Sequence, residues 1–101
     1  MIEISYDREH YSVTVQGHAG AGEPGHDIVC AGVSALVYAM TRRGETRHRA
    51  QCSDQEEGYG FVRCYPQQGE EALCLEMLET GMCGLRAIAA SYPKFVTVRE
   101  V

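Results

Sequence analysis

Apolar and polar side chains alternate from the start of the chain, with Ile2, Ile4 and Tyr6 separated by Glu3 and Ser5. After a polar turn at Asp7, Arg8 and Glu9, a second alternating run carries Tyr11, Val13 and Val15. A period of two with one apolar face predicts a half-buried β-hairpin. Gly17 and His18 close its second strand. The next residues, Ala19, Gly20, Ala21, Gly22, Glu23, Pro24 and Gly25, include three glycines and a proline, a composition that predicts a loop and argues against a helix.

From Ile28 to Met40 nearly every side chain is apolar or small. Asp27 is a good N-cap residue before that run. Thr41, Arg42, Arg43 and Gly44 supply a basic last turn and a glycine stop, so a helix is predicted over 28–40. A helix this apolar must be covered on more than one side. It is expected to lie on a sheet and also to touch a second helix or a partner subunit.

A second hairpin is predicted from 47–53 and 59–65, flanking the polar turn Asp54, Gln55, Glu56, Glu57 and Gly58. Over 70–91, Cys74, Met77, Leu78, Gly81, Leu85, Ile88 and, just beyond, Tyr92 recur mostly at spacings of three and four, which marks an amphipathic helix. Gly81 and Gly84 each cost that helix roughly 1 kcal/mol relative to alanine, tolerable where they let it approach a neighbour closely. Pro93 ends it, and 94–101 reads as a last strand. The order ββαββαβ predicts a two-layer α/β sandwich of the α+β class, with two helices on one mostly antiparallel sheet.

A length of 101 residues suits one domain with one modest core, spanning 1–101. The formal charge of -5 argues against broad binding to nucleic-acid phosphates, which depends on Lys and Arg. Arg42, Arg43, Arg47 and Arg49 cluster in sequence and are read as a solvated face, although they could sit near RNA. No direct nucleic-acid binding is expected. No basic stretch followed by an apolar run opens the chain, and no window approaches membrane-spanning length, so the cytoplasm is the expected compartment. Five cysteines, at 30, 52, 64, 74 and 83, contain no C-x-x-C pair and read as free, mostly buried thiols.

With Asp27 as the cap, Cys30 falls at the third helical position, where unpaired amides and the helix dipole favour a thiolate. The other four cysteines lie on strands or along a helix and lack this placement. Three histidines are candidate partners. His18 ends the strand that leads toward the helix, and a loop folding back brings it to the edge of the sheet where Cys30 starts. His26 directly precedes the cap, and His48 is expected on a later strand among arginines. His18 is the favoured base. The amides at the helix start could hold a tetrahedral oxyanion, which makes acyl transfer the natural reaction class, with the loop over 19–25 closing on an extended peptide. Plainer readings stand beside these. A lone cysteine in an apolar helix is more often core than nucleophile. Asp27 reads as a cap before it reads as a third catalytic member, and Ser34, one turn after Cys30, could simply bond back to a helix carbonyl. A metal site from His18, His26 and Cys30 matches no common zinc spacing.

Gly17-His18-Ala19, followed by Gly25-His26-Asp27-Ile28-Val29-Cys30-Ala31-Gly32-Val33-Ser34, resembles the signature of the ribosomal-processing cysteine protease (Prp) family. Gly84-Leu85, Ile88 and Tyr92-Pro93 look like the end of that family's second helix. The resemblance implies a cytoplasmic endopeptidase that removes the short N-terminal extension of bacterial large-subunit ribosomal protein twenty-seven. It implies a Cys-His dyad of Cys30 as nucleophile and His18 as general base, a small α/β sandwich forming a homodimer, and no metal or organic cofactor. The chain departs from the pattern in the loop: Gly20 stands where the family often carries an acidic residue, and Ala21, Gly22 and Pro24 where bulkier side chains are common.

Two other classes of function remain open at this stage. One is a noncatalytic assembly module that holds the apolar tail of a ribosomal protein, with Cys30 as packing. The other is a thiol redox sensor, which requires a resolving cysteine close to Cys30.

Overall fold

A computed structural model of the chain describes residues 1–17, 26–53 and 59–101, and for His26 and Asp27 the backbone. The loop over 19–25, His18 before it and the turn over 54–58 lie outside the described residues. Strands β1 (Ile2–Asp7) and β2 (Ser12–Gln16) form the first hairpin, helix α1 covers His26–Arg47, β3 is Gln51–Cys52, β4 is Tyr59–Arg63, α2 is Glu71–Ser91 and β5 is Val96–Glu100. The order is ββαββαβ, as the hydrophobic pattern predicts.

The strands make one mixed sheet in the order β3-β4-β2-β1-β5. Three of its pairings are antiparallel, and β5 runs parallel to β1, with Ile2 opposite Val96 and Tyr6 opposite Glu100. Period-two alternation sends Ile2, Ile4, Tyr6, Val13, Val62 and Val96 to one face, where they are buried. Val29, Val33, Val37 and Met40 of α1 meet them there, as do Cys74, Leu78, Met82 and Leu85 of α2. Glu3, Ser5, Thr14, Phe61 and Arg63 point to the opposite face, outside that core.

The two helices pack on each other as well as on the sheet, which accounts for the apolar breadth of α1. A Cβ on Gly81 would overlap the Met40 side chain, and one on Gly84 would lie 2.7 Å from Leu36 Cδ1. These glycines are where α2 closes on α1. Among the described residues no helix is long and apolar enough to cross a membrane.

Three local expectations are corrected. Helix α1 continues through Gly44 to Arg47. Gly44 is a packing residue, not a stop: a Cβ there would lie 2.9 Å from Ala50 Cβ and 3.2 Å from Cys64 Sγ. The predicted strand over 47–53 is reduced to Gln51–Cys52, because Arg47 is still helical and Arg49 takes a left-handed φ of 56° that turns the chain. His48 therefore lies in this turn and is buried, with its amide donating to the Gly44 carbonyl at 2.8 Å. Finally, β4 ends at Arg63, leaving Cys64 just beyond it.

Candidate active site

The end of β2 and the start of α1 lie toward the same end of the sheet. Gln16, the last residue of β2, pairs with Tyr59, the first of β4. Gly17 follows at φ 95°, with no room for a side chain because a Cβ would overlap the Met1 carbonyl oxygen. A glycine is required here by both conformation and space. It fixes the direction in which the chain leaves the sheet immediately before His18.

Two contacts bring α1 to the same end. A Cβ on Gly32 would lie 3.2 Å from Ile88 Cδ1, near the end of α2. The chain after α2 then reaches the start of β1, where the Ile2 amide donates to the Phe95 carbonyl at 2.7 Å. The N-terminal half of α1 thus sits over the strand ends that carry Met1, Ile2 and Gly17.

The helix starts at His26 and not after Asp27. Asp27 is therefore the second helical residue and not the N-cap, since the backbone before it is already helical. A carboxylate in the first turn of a helix faces the positive end of its dipole. The amides of His26, Asp27 and Ile28 fall among those without an acceptor inside the helix. Cys30 moves from the expected third position to the fifth, one residue past the first turn. Helical Cβ atoms tilt toward the N-terminus, so the thiol still projects toward the helix start. Cys30 is half-buried against the edge of the core. Ser34 is half-buried one turn on. Bonds of this kind, from a side-chain hydroxyl back to a helix carbonyl, are made by Thr46 to Arg42 at 3.0 Å and by Thr80 to Glu76 at 2.8 Å.

The other cysteines are in different surroundings. Burial pushes the Cys64 thiol up to about 12, with Cys74 beside it adding to the effect. Burial also pushes the thiols of Cys74 and Cys52 up, the latter with help from the Glu45 charge. Such thiols are poor nucleophiles because the thiolate is the reactive species. Cys83 is exposed on α2, away from any strand end. The thiols in mutual contact are Cys64 and Cys74. Of the remaining histidines, His48 is buried at the far end of α1, and His10 Nδ1 pairs with Asp7 Oδ2 at 2.7 Å on the first hairpin. Among the described residues no group of three His, Cys, Asp or Glu side chains could hold a metal ion.

The described geometry contains one half of the expected dyad, Cys30, together with the backbone that leads into the other. His18 and the loop residues Ala19, Gly20, Ala21, Gly22, Glu23, Pro24 and Gly25 lie outside it, as does the side chain of Asp27. Sequence reading missed the place of Gly17 against Met1. The pairing of Tyr59 with the last residue before that glycine was missed as well. The first had a signal in the Gly-His pair at a strand end, and the second had none, because register across a long connection is not written locally.

Comparison with known proteins identifies the family and the fold. Residues 1–97 match the sequence profile of the family described as cysteine protease Prp. The chain is 35% identical over 94 residues to the ribosomal processing cysteine protease Prp of Staphylococcus aureus, covering 90% of this chain and 87% of that protein. The protein of the same name from Mycoplasma pneumoniae is 29% identical over 91 residues, covering 90% of this chain and 88% of that one. The fold superposes on the crystal structure of the Staphylococcus aureus protease in complex with a covalently linked product peptide, with a TM-score of 0.82, 26% identity and 100% of both chains covered.

Proposed function

The chain belongs to the cysteine protease Prp family, and from that premise we propose that it removes the short N-terminal extension of bacterial large-subunit ribosomal protein twenty-seven through a Cys30-His18 dyad. The observation that carries this reading is the position of Cys30. Of the other four thiols, buried Cys64 and Cys74 and half-buried Cys52 are pushed up by desolvation and Cys83 is exposed along α2, whereas Cys30 stands half-buried near the start of a helix at the strand end leading to His18. Membership of a protease family sets aside the noncatalytic assembly reading.

In the proposed reaction His18 takes the thiol proton as Cys30 Sγ attacks the carbonyl carbon of the scissile peptide. The resulting oxyanion is held by amides at the start of α1. As the C–N bond breaks, His18 returns the proton to the leaving amine, and the N-terminal fragment remains on Cys30 as a thioester. Water, deprotonated by His18, then attacks the thioester and releases the fragment as a carboxylate with the thiol restored. Asp27 and Ser34 act in support, and residues 19–25 cover the bound peptide. The reaction requires no metal or organic cofactor.

On this reading the enzyme works in the cytoplasm, where ribosomal proteins are made. A homodimer is supported by the outer side of α1, where Ile28 and Tyr38 are exposed at 67% and 53% within the stretch 28–40 of small and apolar residues. A synthetic peptide spanning the extension tests the activity: the wild type is expected to cut it once, and Cys30→Ala and His18→Ala to leave it intact. Cleavage by Cys30→Ala at the wild-type rate would overturn the proposal.

A further inference from the structure

Strand β4 carries a second feature, on the side of the sheet away from the helices. Gly60, Val62 and Cys64 alternate into the core, and Tyr59, Phe61, Arg63 and Tyr65 therefore line the open face. Tyr59 and Tyr65 are each 42% exposed, and none of the three rings belongs to the buried hydrophobic core. With a rise of about 3.4 Å per residue, successive members of the row stand about 7 Å apart. The Arg63 guanidinium lies 5.1 Å from the centre of the Tyr65 ring.

Charge at the Tyr65 end runs against that of the whole chain. The Tyr65 amide donates to the His48 carbonyl at 2.9 Å, which brings Arg49 beside Tyr65 and Arg63. Among the described residues Arg8 and Arg86 pair with Glu79 and Glu100 and Arg47 with Glu70, while Arg42 and Arg43 on α1 and Arg99 on β5 have no acidic partner. Arg49 and Arg63 have no acidic partner among the described residues, and Arg63 Nε is buried there without an acceptor. A chain of net charge -5 thus holds the Arg63 guanidinium at the Tyr65 ring and the Arg49 backbone close to it, both residues without an acidic partner among the described residues, at the end of β4 remote from Gly17.

We infer that the open face along β4 binds single-stranded RNA. Bases stack on Tyr65 and on the rings of Phe61 and Tyr59, and Arg63 and Arg49 hold the phosphates. Flat aromatic groups on a sheet suit unstacked bases because every base has a π-face, and guanidinium groups at the end of the row give the phosphates their counter-charge. An acidic peptide would use the arginines but gain little from the row of rings, and duplex RNA hides its base faces.

The test is fluorescence anisotropy of a labelled short oligouridine at low salt, with a duplex RNA of equal length and a poly-glutamate peptide as competitors. The wild type is expected to bind the single strand, with competition from neither. The logarithm of affinity should fall with the logarithm of salt at a slope of about 1.4, corresponding to two phosphate contacts. Tyr65→Ala should weaken binding about tenfold, with Tyr65→Phe near wild type. Arg63→Gln and Arg49→Gln should each lower the salt slope by about 0.7, and unchanged urea midpoints would show that these variants are folded. Absence of binding, equal competition by poly-glutamate or duplex, or folded variants that bind as the wild type does would each overturn the inference.

Discussion

A methyl group on residue 17 would meet the Met1 carbonyl oxygen, at a backbone φ of 95° that side-chain-bearing residues rarely adopt. Gly17→Ala is therefore expected to cost about 1–3 kcal/mol from strain alone, read as a lower urea midpoint. The strand end that leads to His18 shifts with it, so peptide cleavage should fall in the fraction that remains folded. Thiol chemistry separates the cysteines in the same residue-by-residue way. Iodoacetamide on the native protein at mildly alkaline pH should label exposed Cys83 and half-buried Cys30. Cys64 and Cys74 are buried and carry raised thiols, and should react only after unfolding. Mass mapping of the labelled peptides checks this, and early labelling of Cys64 would contradict the packing described for it.

At the scale of elements, the contact between α1 and α2 rests on glycines whose neighbours differ in freedom to move. Gly81 faces Met40, which is 2% exposed and locked in the core, whereas Gly84 faces the terminal methyls of half-buried Leu36. Alanine at either site gains roughly 1 kcal/mol of helix propensity, but overpacking a fixed neighbour costs about 1–3 kcal/mol. Gly81→Ala is thus expected to destabilise the protein and Gly84→Ala to be close to neutral, a difference that thermal unfolding of the two variants would resolve. The same contrast explains what could be read in the sequence. Ile2, Ile4 and Tyr6 announce a strand because one face is buried and the period is two, and the spacing from Cys74 to Ile88 announces α2 for the equivalent reason. Gly44 misled because its composition-level role, ending a helix, is identical to that of a glycine kept small by a neighbour, here Ala50 and Cys64. Asp27 misled by two residues because a cap residue and a first-turn acid are favoured by the same dipole. Cys30 stood out as the candidate nucleophile through its motif. The row of Tyr59, Phe61, Arg63 and Tyr65 did not, since its meaning depends on which face of the sheet the helices leave open.

For the molecule as a whole, buried titratable groups at opposite ends of the pH scale set the range of stability. His48 lies between α1 and the start of α2, and burial holds its imidazole below the ordinary value of 6.5, with Glu70 opposing and Arg47 and Arg43 reinforcing the shift. The unfolded chain then takes up the proton first, so stability contributed by neutral His48 is complete above pH 6.5 and is lost as pH falls through the lower folded value. Tyr6 acts in the alkaline direction. It is fully buried, its hydroxyl donates to Glu79 Oε1 at 3.3 Å, and the guanidinium groups of Arg8 and Arg86 lie 5.8 and 5.9 Å from its ring. Burial first, and the Glu79 charge second, raise its phenol from 10.0 to about 12, while Cys64 rises from 9.0 to about 12. For both groups the unfolded chain loses its proton first, so stability falls as pH climbs from 9 through 12. Urea midpoints measured across pH are therefore expected to form a plateau between about 6.5 and 9 that falls away on both sides. His48→Gln should flatten the acid side alone. Cys64→Ala and Tyr6→Phe should flatten the alkaline side, whatever each does to the height of the plateau. An acid limb unchanged in His48→Gln would mean that carboxylates such as Asp7, held low chiefly by its hydrogen bond with His10, govern acid unfolding instead, and the loss would then begin only below pH 3.8.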